Sequence, residues 1–295
     1  MGGPDRLQPM DEQMTDVFQQ NDCRFCPGAK TKDVLRRPGF NVKQCMICGV
    51  MWTDPLRSDE VFRISDENAY LQVSDIVSSD NLERLRLILK YAPQDSYNKL
   101  LEIGFMHGDF LCQAREVGYE IHGLDLSESA VSVAASKLGD CVKRGTLDET
   151  HSGNSVDIIA AFNVIEHMDA PDNFLDNAKR ALRPGGQLAL ETPSQESLYH
   201  YIMFLRGRLN PGKKFEIGLH PNGHMFKYGK KAWKNILSKR GFTVLHSATR
   251  STSIKELLVK KKSSGIATRI GIILFGILAR MLGLGNRIFV IARSQ

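Results

Sequence analysis

Acidic side chains are scarce at one end of this 295-residue sequence. From His200 to Gln295 only Glu216 and Glu256 are acidic, against 19 Lys and Arg, a balance of +17. Taken from the totals of 39 basic and 33 acidic residues, this leaves 20 basic and 31 acidic residues in 1–199, a balance of −11. A secretory signal is also missing: the first twenty residues hold Pro4, Asp5, Arg6, Asp11, Glu12 and Asp16 and no apolar stretch of the required length. No apolar run approaches the ~20 residues that span a bilayer. There is no internal repeat and no low-complexity tract. These absences lead us to expect neither a secreted disulfide scaffold nor a repeat array, and the apolar run Ile270–Leu278 is too short to span a bilayer. With 42% hydrophobic and 24% charged residues, the sequence is that of an ordinary folded protein.

Six cysteines are present, and four stand as Cys23-x-x-Cys26 and Cys45-x-x-Cys48, separated by 18 residues. In a chain without a secretion signal, this spacing reads as a four-thiolate zinc site built from two knuckles. Gly28 and Gly49 suit the tight turns around a metal. Four unligated thiols and a redox pair are the alternatives, the latter lacking a strand–helix context. A four-thiolate site keeps no open position, so its zinc is expected to be structural. Cys112 and Cys141 fall in helix and strand patterns and read as core residues. The setting expected is reducing and cytoplasmic.

The rest of the chain divides into a disordered tail (1–20), the cysteine module (21–55), a linker with a helix from Asn81 to Tyr91 (56–98), and an α/β domain (99–295). In that domain strands and helices alternate. Strands are predicted over Lys99–Ile103, Glu120–Leu124, Cys141–Lys143, Val156–Phe162, Gln187–Glu191, Phe242–Ser247 and Arg287–Ala292. Helices are predicted over Gly108–Val117, Ser127–Leu138, Pro171–Leu182 and Lys230–Arg240. Arg183–Gly186 reads as a break. The alternation implies a doubly wound, mostly parallel sheet.

Leu100–Phe110 is a strand, a turn marked by Gly104 and Gly108, then a helix, the arrangement that brings backbone close to a nucleotide. Asp125, at the end of the next strand, suits both hydroxyls of a ribose. A dinucleotide fingerprint Gly-x-Gly-x-x-Gly is absent, and Glu102 would oppose a pyrophosphate. The same carboxylate suits a ligand bearing an ammonium and a sulfonium.

This run resembles the first motif of the class I (Rossmann-like) S-adenosylmethionine (SAM)-dependent methyltransferases. Gly123–Ser127 is similar to their ribose-binding motif, Val156–Ile159 with Phe162–Met168 to the fourth strand and its loop, and Leu182–Gly186 to the turn before the fifth. The loop Ile165-Glu166-His167 is similar to that of ubiquinone-biosynthesis O-methyltransferases and of sugar- and natural-product-modifying relatives. The resemblance implies that Glu102, Gly104, Phe105 and Gly108 frame the amino-acid part of SAM. Asp125 would hold the ribose, Leu126, Thr146 and Leu147 the adenine. Asn163 would lie near the methyl group and Tyr70 over the cofactor, with S-adenosylhomocysteine as product. The cysteine module looks like the leader found before some of these enzymes. Met106 stands where the family usually has its middle glycine, which leaves a catalytically silent binding protein as one rival.

If the acceptor is a hydroxyl, a general base helps, and His is the usual choice. His167 follows the fourth strand; His220 and His224 lie in a loop where many relatives place an acceptor-facing His. Each also reads as a structural hydrogen-bonding residue. The basic final third favours an anionic partner: a small phosphate- or carboxylate-bearing acceptor, such as a lipid- or nucleotide-linked sugar, is expected. An RNA methyltransferase is the other rival, although few aromatics interleave the basic residues; a solvated surface is the plain alternative. Ile270–Leu278 is apolar between Arg269 and Arg280, downstream of Lys260–Lys262. It reads either as a helix packed beneath the last strand, which the sequence favours, or as peripheral membrane contact through 260–285.

Overall fold

The computed structural model describes residues 22–37, 39–56, 74–92, 98–147, 155–210, 218–221, 223–252 and 265–295. The expected disordered tail, Tyr70 and Lys260–Lys262 lie outside the described residues. The elements are β1 (Thr31–Arg37), β2 (Phe40–Cys45), β3 (Met51–Asp54), α1 (Ser74–Tyr91), β4 (Lys99–Ile103), α2 (Asp109–Glu116), β5 (Glu120–Asp125), α3 (Glu128–Leu138) and β6 (Val142–Arg144). They continue with β7 (Val156–Phe162), α4 (Pro171–Ala181), β8 (Leu182–Pro193), α5 (Leu198–Leu209), β9 (Phe226–Lys227), α6 (Lys230–Lys239), β10 (Phe242–Arg250), α7 (Ile266–Met281) and β11 (Arg287–Ser294).

The large sheet runs β10-β11-β8-β7-β4-β5-β6. Strands β8, β7, β4, β5 and β6 are parallel; β11 is antiparallel to both β8 and β10. This is the mostly parallel, doubly wound sheet expected. Every residue of β7 is buried, as a central strand covered on both faces must be. Side-chain alternation along each strand divides the core in two. Leu100, Ile158 and Phe289 join Leu85 and Ile88 of α1 and Leu111 of α2 on one face. Leu101, Ile159 and Val290 join Leu175 of α4 and Trp233 and Ile236 of α6 on the other.

Several boundaries differ from expectation. Helix α1 begins at Ser74, not Asn81. Its first turns are Ser- and Asp-rich and carry no apolar period to reveal them. Arg183–Gly186 is not a break between elements: β8 is continuous from Leu182. Val156 of β7 pairs with Leu182 and Ile158 with Gln187, so the Pro-Gly-Gly stretch loops out as a bulge within one strand. The favoured place for the apolar tail is also overturned. Only Ala279 of α7 is buried, while Ile270, Leu274, Ile277 and Leu278 are exposed. Both faces of β11 are already covered, by α6 on one side and by α1 with Phe110 and Phe162 on the other, so no room remains beneath it.

A second, four-stranded antiparallel sheet has the order β1-β2-β3-β9. Its first three strands frame the cysteine pairs. Its fourth comes from the far end of the chain: Met51 pairs with Lys227 and Trp52 with Phe226. Phe25 meets Phe226 and Tyr228 edge-on at centroid distances of 6.1 and 6.0 Å, and Tyr228 stacks on Trp233 at 4.2 Å. The cysteines therefore share one core with α6 and the large sheet.

Candidate active site

The cofactor-type site is built where β4 and β5 end. Gly104 has φ +72°, and a Cβ there would collide with the Val164 methyls. Gly108 has φ +73°, and a Cβ would lie 2.6 Å from Leu138 Cδ1. Both glycines are thus required by left-handed backbone and by packing beneath the loop, a reason beyond ligand approach. Between them Met106 adopts φ 51°, the left-handed conformation of a glycine, with an exposed side chain. Its N–H donates to Asp125 Oδ2 (3.2 Å), and the Ser127 N–H donates to Oδ1 (2.9 Å). One carboxylate therefore ties the glycine turn to the cap of α3, where Ser127 accepts from the Ala130 N–H. Burial raises the Asp125 pKa, and the N–H groups of Ser127, Met106 and Leu126 oppose that shift.

Glu102 is buried and its Oε2 has no hydrogen-bond partner among the described residues. Burial pushes its pKa up to about 8, against the pull of the Arg84 guanidinium. An orphaned carboxylate at a strand end fits a cationic ligand group, which would satisfy it. Leu126 is exposed at the rim, whereas Leu147 is buried in the core and Thr146 is half-buried beside it. Asn163 is left-handed (φ 56°), and its N–H donates to the Glu191 carbonyl (2.7 Å). Phe105 is buried, filling the space opposite Gly123.

Three remote segments meet just after β7. The Met225 N–H donates to the Glu166 carbonyl (2.9 Å), and the Thr53 N–H to the Met225 carbonyl (3.0 Å). These bonds pin the loop holding His224 between the β7 end and the small sheet. His167 and His224 lie with ring centroids 4.8 Å apart. His167 Nδ1 is 3.0 Å from the Gly223 carbonyl oxygen. A carbonyl only accepts, so Nδ1 carries the proton and Nε2 keeps its lone pair. Burial lowers the pKa of both rings; His224 reaches about 4, helped by His167 and Lys227. Both are neutral at pH 7.

Glu166 completes the group. It is fully buried, neither carboxylate oxygen has a hydrogen-bond partner among the described residues, and burial lifts its pKa to about 8. Glu166, His167 and His224 each place a ligand atom within 4.8 Å of the others, a donor set able to hold a divalent cation. His220 is not in this cluster. Its ring packs edge-on against Phe40 at 5.6 Å, and its N–H holds the turn to the His224 carbonyl (3.0 Å).

These strand-end residues fall within residues 77–247, which match the family described as methyltransferase domain. The chain belongs to that methyltransferase family. Among curated relatives, phosphoethanolamine N-methyltransferase 2 of Caenorhabditis elegans is 23% identical over 61% of this chain and 40% of its own length. The mitochondrial ubiquinone biosynthesis O-methyltransferase of Schizosaccharomyces pombe is 25% identical over 42% of this chain and 48% of its own. The chain thus spans under half the length of either. A SAM-dependent methyltransferase structure from Archaeoglobus fulgidus superimposes with a TM-score of 0.51 at 19% identity, over 77% of this chain and 97% of that one. The fold of this methyltransferase-family chain is accordingly the Rossmann-like class I fold.

Two charged groups escaped the sequence. Glu191, fully buried at the end of β8, would have its pKa raised by burial, but Arg84, Arg287 and Arg250 outweigh that and hold it at about 2. The Arg84 guanidinium donates to Glu191 Oε1 (2.5 Å) and lies 4.4 Å over the Phe162 ring. Buried Lys227 sits with Nζ 3.1 Å from His200 Nδ1, its pKa lowered by burial to about 8. Nothing in the spacing of these residues marks them; only the fold brings α1, α5 and β9 to the site.

The four cysteines do converge. All are buried and their sulfurs lie within 4.8 Å of one another, with Cys23 and Cys48 Sγ 3.6 Å apart. The Ile47 and Cys48 N–H groups donate to Cys45 Sγ (3.4 Å each), and Lys239 Nζ donates to Cys26 Sγ (3.3 Å). N–H donors and a nearby cation are what a four-thiolate cluster, doubly negative with zinc, calls for.

Proposed function

We propose that the chain transfers a methyl group from SAM to a hydroxyl of a small anionic acceptor, sugar-like and lipid- or nucleotide-linked. The observation that supports this reading is a pair of imidazoles 4.8 Å apart after β7, together with a buried carboxylate at the end of β4 whose Oε2 has no hydrogen-bond partner among the described residues. Glu102 takes the cofactor's ammonium, Asp125 its ribose, and Leu126, Thr146 and Leu147 border the adenine. Gly104, Phe105 and Gly108 shape the turn, and Asn163 lines the methyl side. When bound, SAM supplies an electrophilic methyl on a sulfonium, and the protein gains rate by aligning the acceptor in line with it.

The proton of the acceptor hydroxyl passes to the lone pair of a neutral imidazole, on His224 or on His167 Nε2. The Gly223 carbonyl orients the His167 ring by holding its Nδ1–H. Lys227 contributes positive charge beside the loop, which suits a phosphate or carboxylate on the acceptor. Cys23, Cys26, Cys45 and Cys48 hold a structural zinc ion that fixes β1–β3, and through β9 the position of His224.

Calorimetric titration with S-adenosylhomocysteine tests the cofactor half. Micromolar binding is expected, retained in His224→Gln and His167→Gln. The same variants, assayed for methyl transfer to candidate hydroxyl acceptors, should lose about 10²–10⁴ in kcat. Unchanged kcat in both would remove the base assignment; absence of binding by the wild type would remove the reading altogether.

A further inference from the structure

Two helices carry apolar side chains on their outer surfaces. In α5, His200, Met203, Phe204 and Gly207 face inward, with Met203 and Phe204 packed against Leu35, Val42 and Leu219. A second apolar stripe, Ile202, Leu205 and Leu209, recurs at helical spacing on the exposed side, flanked by Tyr199 and Tyr201. Leu205 is 58% and Leu209 71% exposed. In α7 the exposed apolar residues run from Ile266 through Leu274 to Met281. The start of α5 is tied to the segment that follows α7: the Leu198 N–H donates to the Leu284 carbonyl (3.0 Å). Arg206 and Arg208 on α5, and Arg269 and Arg280 on α7, are exposed, and neither helix has an acidic residue.

We infer that α5 and α7 together form a face that docks on an anionic lipid bilayer. Large apolar side chains rimmed by arginine, with no acid between them, complement an apolar interior capped by negative headgroups. A second copy of the chain fits this face poorly, because a two-fold contact would set arginine against arginine. Helix α7, at 16 residues, is about 24 Å long, short of the ~30 Å hydrocarbon thickness. No helix of the described residues is long and apolar enough to cross a membrane. The helices therefore lie in the interface plane, where Tyr199 and Tyr201 suit the headgroup level. The inner face of α5 reaches Lys227 through His200. A bilayer held against the outer face thus sits one helix away from the acceptor loop, and delivers a lipid-borne acceptor to it; that consequence alone rests on the methyl-transfer reading.

The test is flotation of the full chain with phosphatidylcholine vesicles, with and without phosphatidylglycerol, at low and high salt. Flotation with the anionic vesicles is expected, at least about tenfold stronger than with phosphatidylcholine and weakened by salt. Leu274→Glu/Leu278→Glu and Leu205→Glu/Leu209→Glu should each lower it roughly tenfold with no change in thermal midpoint. Equal flotation of wild type and both variants overturns the proposal. So does absence of flotation, whether accompanied by a variant-sensitive dimer in sedimentation or by an RNA gel shift. Binding of S-adenosylhomocysteine, measured in parallel, separates failure of this face from failure of the methyl-transfer reading.

Discussion

The two sides of the proposed site are made in different ways. The proposed cofactor wall comes mainly from one stretch of chain, β4 to α3, with Thr146, Leu147 and Asn163 added from later loops, and backbone does most of its work: two left-handed glycines, a left-handed Met106 and a carboxylate accepting N–H groups. The proposed acceptor wall is assembled from Glu166–His167, His200 and His224–Lys227, and side chains would do its work. Its geometry is inherited from the small sheet, since the Thr53 N–H holds the Met225 carbonyl. A wall built locally tolerates distant damage; a wall built by long-range contacts should not.

The sharpest way to break this contrast is to remove the proposed zinc. Structural zinc contributes about 10–16 kcal/mol to small metal domains. Chelation, or Cys45→Ser, should unfold β1–β3, shown by early proteolysis within 22–56, and abolish turnover while binding of S-adenosylhomocysteine falls far less. Turnover that survives complete metal loss would separate the cysteine module from the proposed acceptor wall.

Next in size is Arg84→Ala, which leaves Glu191 buried with a weakened set of partners. A cost of about 3–5 kcal/mol in urea unfolding is expected, because an uncompensated buried charge costs more than the pair contributes. Adding Glu191→Gln should recover part of it; no recovery in the double variant would show that Arg84 acts through Phe162 and packing instead.

Acid should discriminate the walls as well. The folded pKa of His224 lies near 4, below the ordinary 6.5. Between those values the unfolded chain binds a proton that the folded chain refuses. Stability is therefore full above about pH 6.5 and falls as pH drops toward 4, by up to about 3 kcal/mol. Replacing His224 with Gln should flatten that limb of a pH–denaturation series. A limb of unchanged slope would assign the acid sensitivity elsewhere.

The smallest effect belongs to the cofactor wall. Asp125→Ala removes the acceptor of the Met106 and Ser127 N–H groups and one proposed ribose partner. Affinity for S-adenosylhomocysteine should fall about 10–100-fold, as expected for hydrogen bonds to a charged group. A comparable loss in acceptor KM would show that the walls are not independent.

The same contrast explains what could be read in advance. The parallel strands were legible because buried strands are continuous apolar runs: Val156–Phe162 is found at its predicted bounds. Asp125, Gly104 and Gly108 stood out because local motifs encode local backbone. The acceptor wall was legible only as three unplaced histidines. His167 and His224 meet, while His220 packs on Phe40 instead, and sequence spacing holds no record of that choice. Glu191 with its arginines was invisible because its partners lie on α1, β10 and β11, joined only by the sheet. The apolar run Ile270–Leu278 misled because apolar composition shows which side chains avoid water, without showing whether the fold has a surface left to receive them.

The small sheet carries one last consequence, for the order in which the chain is made. Its closing strand, Phe226–Lys227, leaves the ribosome long after Asp54. At about 5–20 residues per second, the N-terminal strands wait on the order of ten seconds with an unpaired β3 edge. During synthesis the cysteines emerge well before their final shelter does, so early capture of a metal would protect a nascent segment that its own sequence cannot close.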